Sequence, residues 1–170
     1  LVTGVQTCAL PIFDAVRAAV GRAKAKSGRD YRVVVVDTAG AAGDARGLLD
    51  RIVKAWRADE ASGFDPAADA VLVLAVGDRR FAMDVPWALE VGSGLDQATL
   101  EQELIRKAFV PPAKDGLYDQ GLADLIDATE NWVATRADEK KAREEAARVF
   151  RTRTLPLGLA SMAGAGVLGA

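Results

Sequence analysis

Two uninterrupted apolar runs, Val33-Val34-Val35-Val36 and Val71-Leu72-Val73-Leu74-Ala75-Val76, constrain the chain more than any other feature. Continuous β-branched and aliphatic residues without alternation mark strands buried on both faces. Between them, about Asp44 to Ala58, Leu48, Leu49, Ile52, Val53 and Trp56 recur at helical spacing. Strand, helix and strand in this length form a βαβ crossover, so the two strands are expected to run parallel. The first run ends at Asp37, read as a strand-end carboxylate capping a turn.

The flanking segments complete an α/β domain with a mixed sheet covered by helices. Phe13, Val16, Ala19, Val20 and Ala23 share one face of a helix ending at Ser27-Gly28. Gly77-Asp78 reads as a two-residue turn leading into a third strand, Phe81 to Val85, with one polar face. After a glycine-containing loop, Leu100, Leu104, Ile105 and Ala108 form a third helix, stopped by Pro111-Pro112. A fourth runs from Gly116 to about Thr135, and the domain is bounded at residues 13–135.

Both ends differ in kind from this domain. Residues 1–12, containing the single cysteine Cys8, resemble the translation of a common sequencing adapter and are set aside from fold reasoning. Residues 136–154 are rich in Glu, Lys, Arg and Ala, with Glu139/Arg143 and Glu144/Arg148 at i,i+4 spacing, the pattern of a solvated helical stalk. Residues 155–170 carry no charge and are rich in Leu, Ala and Gly, the expected start of a truncated transmembrane helix.

Composition then removes whole classes of chemistry. There is no histidine, which excludes Ser-His-Asp triads, Cys-His dyads and imidazole metal ligands. One cysteine excludes an internal disulfide and thiolate clusters. A net charge of −2 supplies no field that would draw nucleic acid. Asp37-Thr38-Ala39-Gly40 resembles the magnesium-side strand of a GTPase, yet Gly21 to Ser27 lacks the second glycine of a phosphate loop. Gly92-Ser93-Gly94 fits neither a dinucleotide loop nor a nucleophile elbow and reads as a flexible connection. Carboxylates remain. Asp84, Glu90 and Asp96 fall within a short stretch and Asp69 precedes the second strand, so these oxygens are candidates for a hard divalent ion, with ordinary surface acids as the alternative.

An ordered series of motifs follows the buried strand Ala70 to Val76. It comprises Arg79-Arg80-Phe81-Ala82-Met83-Asp84-Val85-Pro86-Trp87-Ala88-Leu89-Glu90, Leu95-Asp96, Val110-Pro111-Pro112 and Gly116-Leu117-Tyr118-Asp119-Gln120-Gly121-Leu122. The series resembles the TPM domain family, also described as thylakoid-lumen phosphatase-like, over about Phe13 to Val133. Two glycines of the family pattern are replaced here by Pro86 and Ala88, and Val91 to Leu95 reads as an insertion.

The resemblance implies a bacterial, exported domain tethered to the cell membrane on its outer side, binding calcium or magnesium. Two functions follow from it. In one, Asp69, Glu90 and Asp96 hold the ion of a non-enzymatic module that assists assembly or repair of membrane complexes, with other membrane proteins as partners. In the other, the same ion serves a phosphatase-like hydrolase, with Arg79, Arg80 and Asp96 as catalytic candidates.

Overall fold

The computed structural model describes residues 13–158. The expectations for residues 1–12 and for most of the apolar tail therefore lie outside the described residues. Chain order begins with α1 (Asp14–Ser27), β1 (Tyr31–Val36), α2 (Ala45–Ala58), β2 (Ala70–Ala75) and β3 (Arg80–Asp84). It continues with α3 (Trp87–Ser93), α4 (Gln97–Thr99), a π-helix (Leu100–Phe109), α5 (Val110–Lys114) and α6 (Tyr118–Gly158).

The sheet order is β1-β2-β3. β1 pairs parallel with β2, Tyr31 opposite Ala70 through Val36 opposite Ala75, as a βαβ unit requires. β3 returns antiparallel, with Val71 opposite Asp84 and Ala75 opposite Arg80. Alternate residues of β2 feed two cores. Leu72 and Leu74 join Tyr31 and Met83 beneath α1, the π-helix and α6, while Val71 and Val73 join Ala82 beneath Leu49 and Val53 of α2. The result is three layers, with the sheet between helices.

Several local expectations are corrected by this arrangement. Val33 to Val36 are only half-buried, because β2 takes the central place and leaves β1 at an edge. The polar face of the third strand is only partial: Arg80 is exposed and Asp84 half-buried, but α2 extends across the strand and buries Ala82 between them. The turn between β2 and β3 spans Val76 to Arg79 rather than two residues. Val76 still donates to Val36 O at 2.9 Å, and Arg79 takes φ +51° before pairing resumes. The expected loop after β3 holds helix α3.

Pro111 and Pro112 do not stop the third helix. They occupy the first turn of α5, where a missing N–H costs least, and the preceding ten residues adopt the wider π register. The chain turns at Gly116, φ +79°, and α6 then passes close to the π-helix at Gly121.

Residues up to Val133 form one compact unit and those from Ala134 another. Helix α6 does not end at Thr135, and the described side chains from Thr135 to Arg148 are exposed, with ion pairs Arg136–Glu139 at 3.1 Å and Arg148–Glu145 at 3.6 Å. Among the described residues no helix is long and apolar enough to cross a membrane.

Candidate functional site

The carboxyl edge of the parallel strands gathers the chemistry. In open α/β sheets this is the edge where loops diverge and ligands bind. β1 ends at Val36, just before Asp37, and β2 ends at Ala75, just before the turn that carries Asp78 and Arg79 and leads into Arg80. The two loops are stitched together. Gly77 N–H donates to Asp37 O at 2.7 Å, and Ala39 N–H donates to Asp78 Oδ2 at 2.7 Å. The carboxylate that caps the turn after β1 is thus Asp78, from the neighbouring strand, and not Asp37.

Gly77 is what lets the two loops approach. A Cβ there would lie 2.8 Å from Asp37 Oδ1 and 2.9 Å from Asp37 O, so any other residue would push the carboxylate away. Asp37, Asp78, Arg79 and Arg80 are all exposed. Two carboxylates and two guanidinium groups therefore share one edge, in water, at the ends of adjacent strands.

The acids singled out in the sequence lie elsewhere. Asp69 precedes β2, at the opposite edge of the sheet, where its Oδ2 accepts from Arg32 Nε at 3.0 Å and from Asp65 N–H at 3.1 Å. It is 9% exposed and already paired, so its role is to close the α2–β2 connection. Arg32 completes that closure by donating to Ser62 O and Gly63 O and by lying 5.3 Å from the ring centroids of Trp56 and Phe64.

Asp96 is the N-cap of the helical segment that begins with α4. Its Oδ1 accepts from Thr99 N–H at 2.7 Å, and that hydrogen bond holds its carboxyl below the ordinary range. Glu90 is exposed on α3. Asp84 sits at the far end of β3, with Arg46 Nη2 at 3.5 Å. Ser93 donates to Leu89 O at 2.7 Å within α3, so Gly92-Ser93-Gly94 closes a helix rather than forming a flexible connection.

β2, about 20 Å long for six residues, separates Asp69 from Arg79 and Arg80. The arginines sit instead with Asp37 and Asp78. In the sequence Asp37 stands out only as a turn cap, and Asp78 only as part of the Gly77-Asp78 turn. The available signal was positional, since Asp37 follows β1 and Asp78 lies in the turn after β2, and these two strands pair in parallel. Among the described residues no group of three or more His, Cys, Asp or Glu side chains is placed to hold a metal ion.

These features define an α/β domain of three layers with a polar, doubly acidic edge. The family model of the TPM domain matches residues 14–131, and the chain belongs to the TPM domain family. The NMR structure of BA42 protein from the psychrophilic bacterium Bizionia argentinensis is similar in fold, with a TM-score of 0.58 and 18% identity. The match covers 74% of this chain and 80% of that one. No curated protein matches the chain in sequence.

Proposed function

We propose that this TPM domain is a divalent-cation-binding module whose protein ligands are Asp37 and Asp78, rather than Asp69, Glu90 and Asp96. The observation that carries the reading is the close approach of the two strand-end loops through Gly77, which sets two exposed carboxylates on one edge. The donor set fits a hard ion. Magnesium is commonly held by one or two carboxylates and keeps several waters, and calcium accepts main-chain carbonyls as well. A bound cation would supply positive charge between the loops and fix their relative position. Asp69 is buried and paired with Arg32, so drawing it to an ion would break that pair and cost fold stability, and Asp96 lies on the segment that begins α4, away from the Asp37 and Asp78 loops.

The biological role we attach to this module is assistance in assembly or repair of membrane complexes. Support for a membrane tether comes from the charged residues 136–154 followed by the uncharged run 155–170. The outer placement of the domain rests on the family resemblance, against the Lys and Arg before that run, which taken alone favour the cytoplasmic side. Binding is tested by melting curves in millimolar calcium or magnesium. A native-state ligand raises the melting temperature by mass action, and Asp37→Asn with Asp78→Asn should abolish the rise while Glu90→Gln leaves it intact. An unchanged wild-type curve overturns the reading.

One observation keeps the hydrolase alternative in view, namely that Arg79 and Arg80 share the acidic edge. A cation there would polarise a phosphoryl oxygen, and the guanidinium groups would bind the remaining charge. Metal-dependent cleavage of a phosphomonoester that is lost in Asp78→Asn would replace the assembly reading with this one.

A further inference from the structure

The two edges of the sheet are treated differently. Ladder geometry decides which groups face outward. Ala70 N–H donates to Asp30 O and Val76 N–H donates to Val36 O, so Arg32, Val34 and Val36 turn their main-chain groups toward β2. Tyr31, Val33 and Val35 turn theirs away from the sheet.

On the opposite side the outward carbonyl of Met83 in β3 is capped by Arg46 Nη1 at 3.3 Å, and Arg46 also reaches Asp84. A charged side chain over an edge carbonyl is a recognised block to strand addition. β1 carries no such block. It contains no proline and no bulge, and its one charged residue, Arg32, is bound to Asp69 and the 62–63 carbonyls on the inner side. At its two ends one group is already used on each side, because Tyr31 N–H donates to Asp30 Oδ1 at 3.1 Å and the C=O of Asp37, just past the strand, accepts from Gly77.

What remains is a short open stretch bearing the N–H and C=O of Val33 and of Val35. This pattern is self-complementary. In an antiparallel hydrogen-bonded pair two residues exchange both bonds, and adjacent such pairs lie two residues apart. Placing Val33 opposite Val35 of a second copy makes the reciprocal pair as well, using all four groups on each chain, with Val34 opposite its own symmetry mate. A register shifted by two residues would instead call on Tyr31 N–H, which is occupied.

We infer that β1 is a self-pairing edge, through which two copies of this chain join antiparallel about a two-fold axis at Val34 to form one six-stranded sheet. The half-buried valines of β1 lose their remaining exposure in that pairing. The isologous arrangement closes on itself and leaves the Arg46-capped edges outermost, so it stops at two copies.

The test is sedimentation equilibrium of the full chain across a concentration series. A monomer–dimer equilibrium is expected, and Val33→Pro and Val35→Pro should each weaken it by about tenfold or more. Each substitution removes an outward donor that the monomer does not use, and melting curves verify that the variants fold. The second measurement does not depend on proline. Val34→Cys in a Cys8→Ser background should form a disulfide-linked dimer on oxidation, because facing residues in a non-hydrogen-bonded pair lie about 4.5 Å apart at Cα, within disulfide reach. A chain that is monomeric at every concentration overturns the inference. So does association that survives both proline substitutions, or a Val34→Cys chain that does not cross-link.

Discussion

The Tyr31 hydroxyl donates a 2.7 Å hydrogen bond to Glu130 Oε1, joining the first residue of β1 to α6 across ninety-nine residues of chain. Arg29 pairs with the same carboxylate oxygen, and all three side chains are largely shielded from water. A buried carboxylate is tolerated because a cation and a hydroxyl answer it together. The group holds the amino end of β1 against the helix layer, while the acidic edge lies at the other end of that strand.

Tyr31→Phe removes one donor and leaves Glu130 with a bond unmade, so a loss of about 1–2 kcal/mol in unfolding free energy is expected. The pH response has a definite sign. Burial, and next the Glu130 charge, push the Tyr31 hydroxyl well above the ordinary tyrosine range. Above about pH 10 the unfolded chain releases this proton while the native protein keeps it, so stability falls as pH rises through that region. Chemical denaturation followed from pH 8 to 11 should show this decline, and Tyr31→Phe should flatten it.

Arg32 and Asp69 form the second tie. Removing the cation leaves a carboxylate that is 9% exposed without its partner and frees Trp56 and Phe64 from their stacked guanidinium. Arg32→Ala should therefore cost about 3 kcal/mol, near the lower bound for breaking a buried pair because the arginine retains some access to water. Arg32→Ala combined with Asp69→Asn should recover part of that loss. A coupling energy near zero in a urea double-mutant cycle that also includes Asp69→Asn alone would contradict this.

The close passage of α6 at Gly121 makes a sharper prediction. A Cβ there would lie 3.0 Å from Phe109 O, 3.2 Å from Phe109 Cδ2 and 3.3 Å from Pro112 Cγ. Alanine gains about 1 kcal/mol in helix propensity, but overpacking against a fixed carbonyl costs about 1–3 kcal/mol. Gly121→Ala should be destabilising. Gly21→Ala, on α1 where a Cβ meets nothing within 4 Å, should be stabilising by about 1 kcal/mol. Opposite signs in the two melting curves are the expected outcome.

The architecture was legible where local pattern and tertiary demand agree. The runs at Val33 and Val71, the helix with Leu49 and Val53, and the hairpin to Phe81 all lie where periodicity placed them. The motif series pointed to the family for the same reason, since in this chain Gly116 answers a turn at positive φ and Gly121 a close helix contact. Proline read by propensity alone was misleading at Pro111, because a change to π register lets the helix run on to its first turn. Trp87 to Ser93 reads as a loop in the sequence because Gly92 and the segment's short length conceal a single apolar anchor, Leu89.

The candidate site was the least legible part. Asp69, Glu90 and Asp96 are near one another in sequence, but nearness along the chain does not reveal that Arg32 and Thr99 already hold two of those carboxylates. Asp37 and Asp78 are forty-one positions apart and meet only because parallel pairing brings two strand ends together.

The central claim, cation binding between the loops after β1 and β2, is tested most directly by a calcium and magnesium titration followed on backbone amide resonances. The account predicts saturable shifts at Ala39, Gly77 and Asp78, with the amides of Asp69, Glu90 and Thr99 unmoved. Shifts confined to the latter residues, or no saturable shift at millimolar ion, would contradict it.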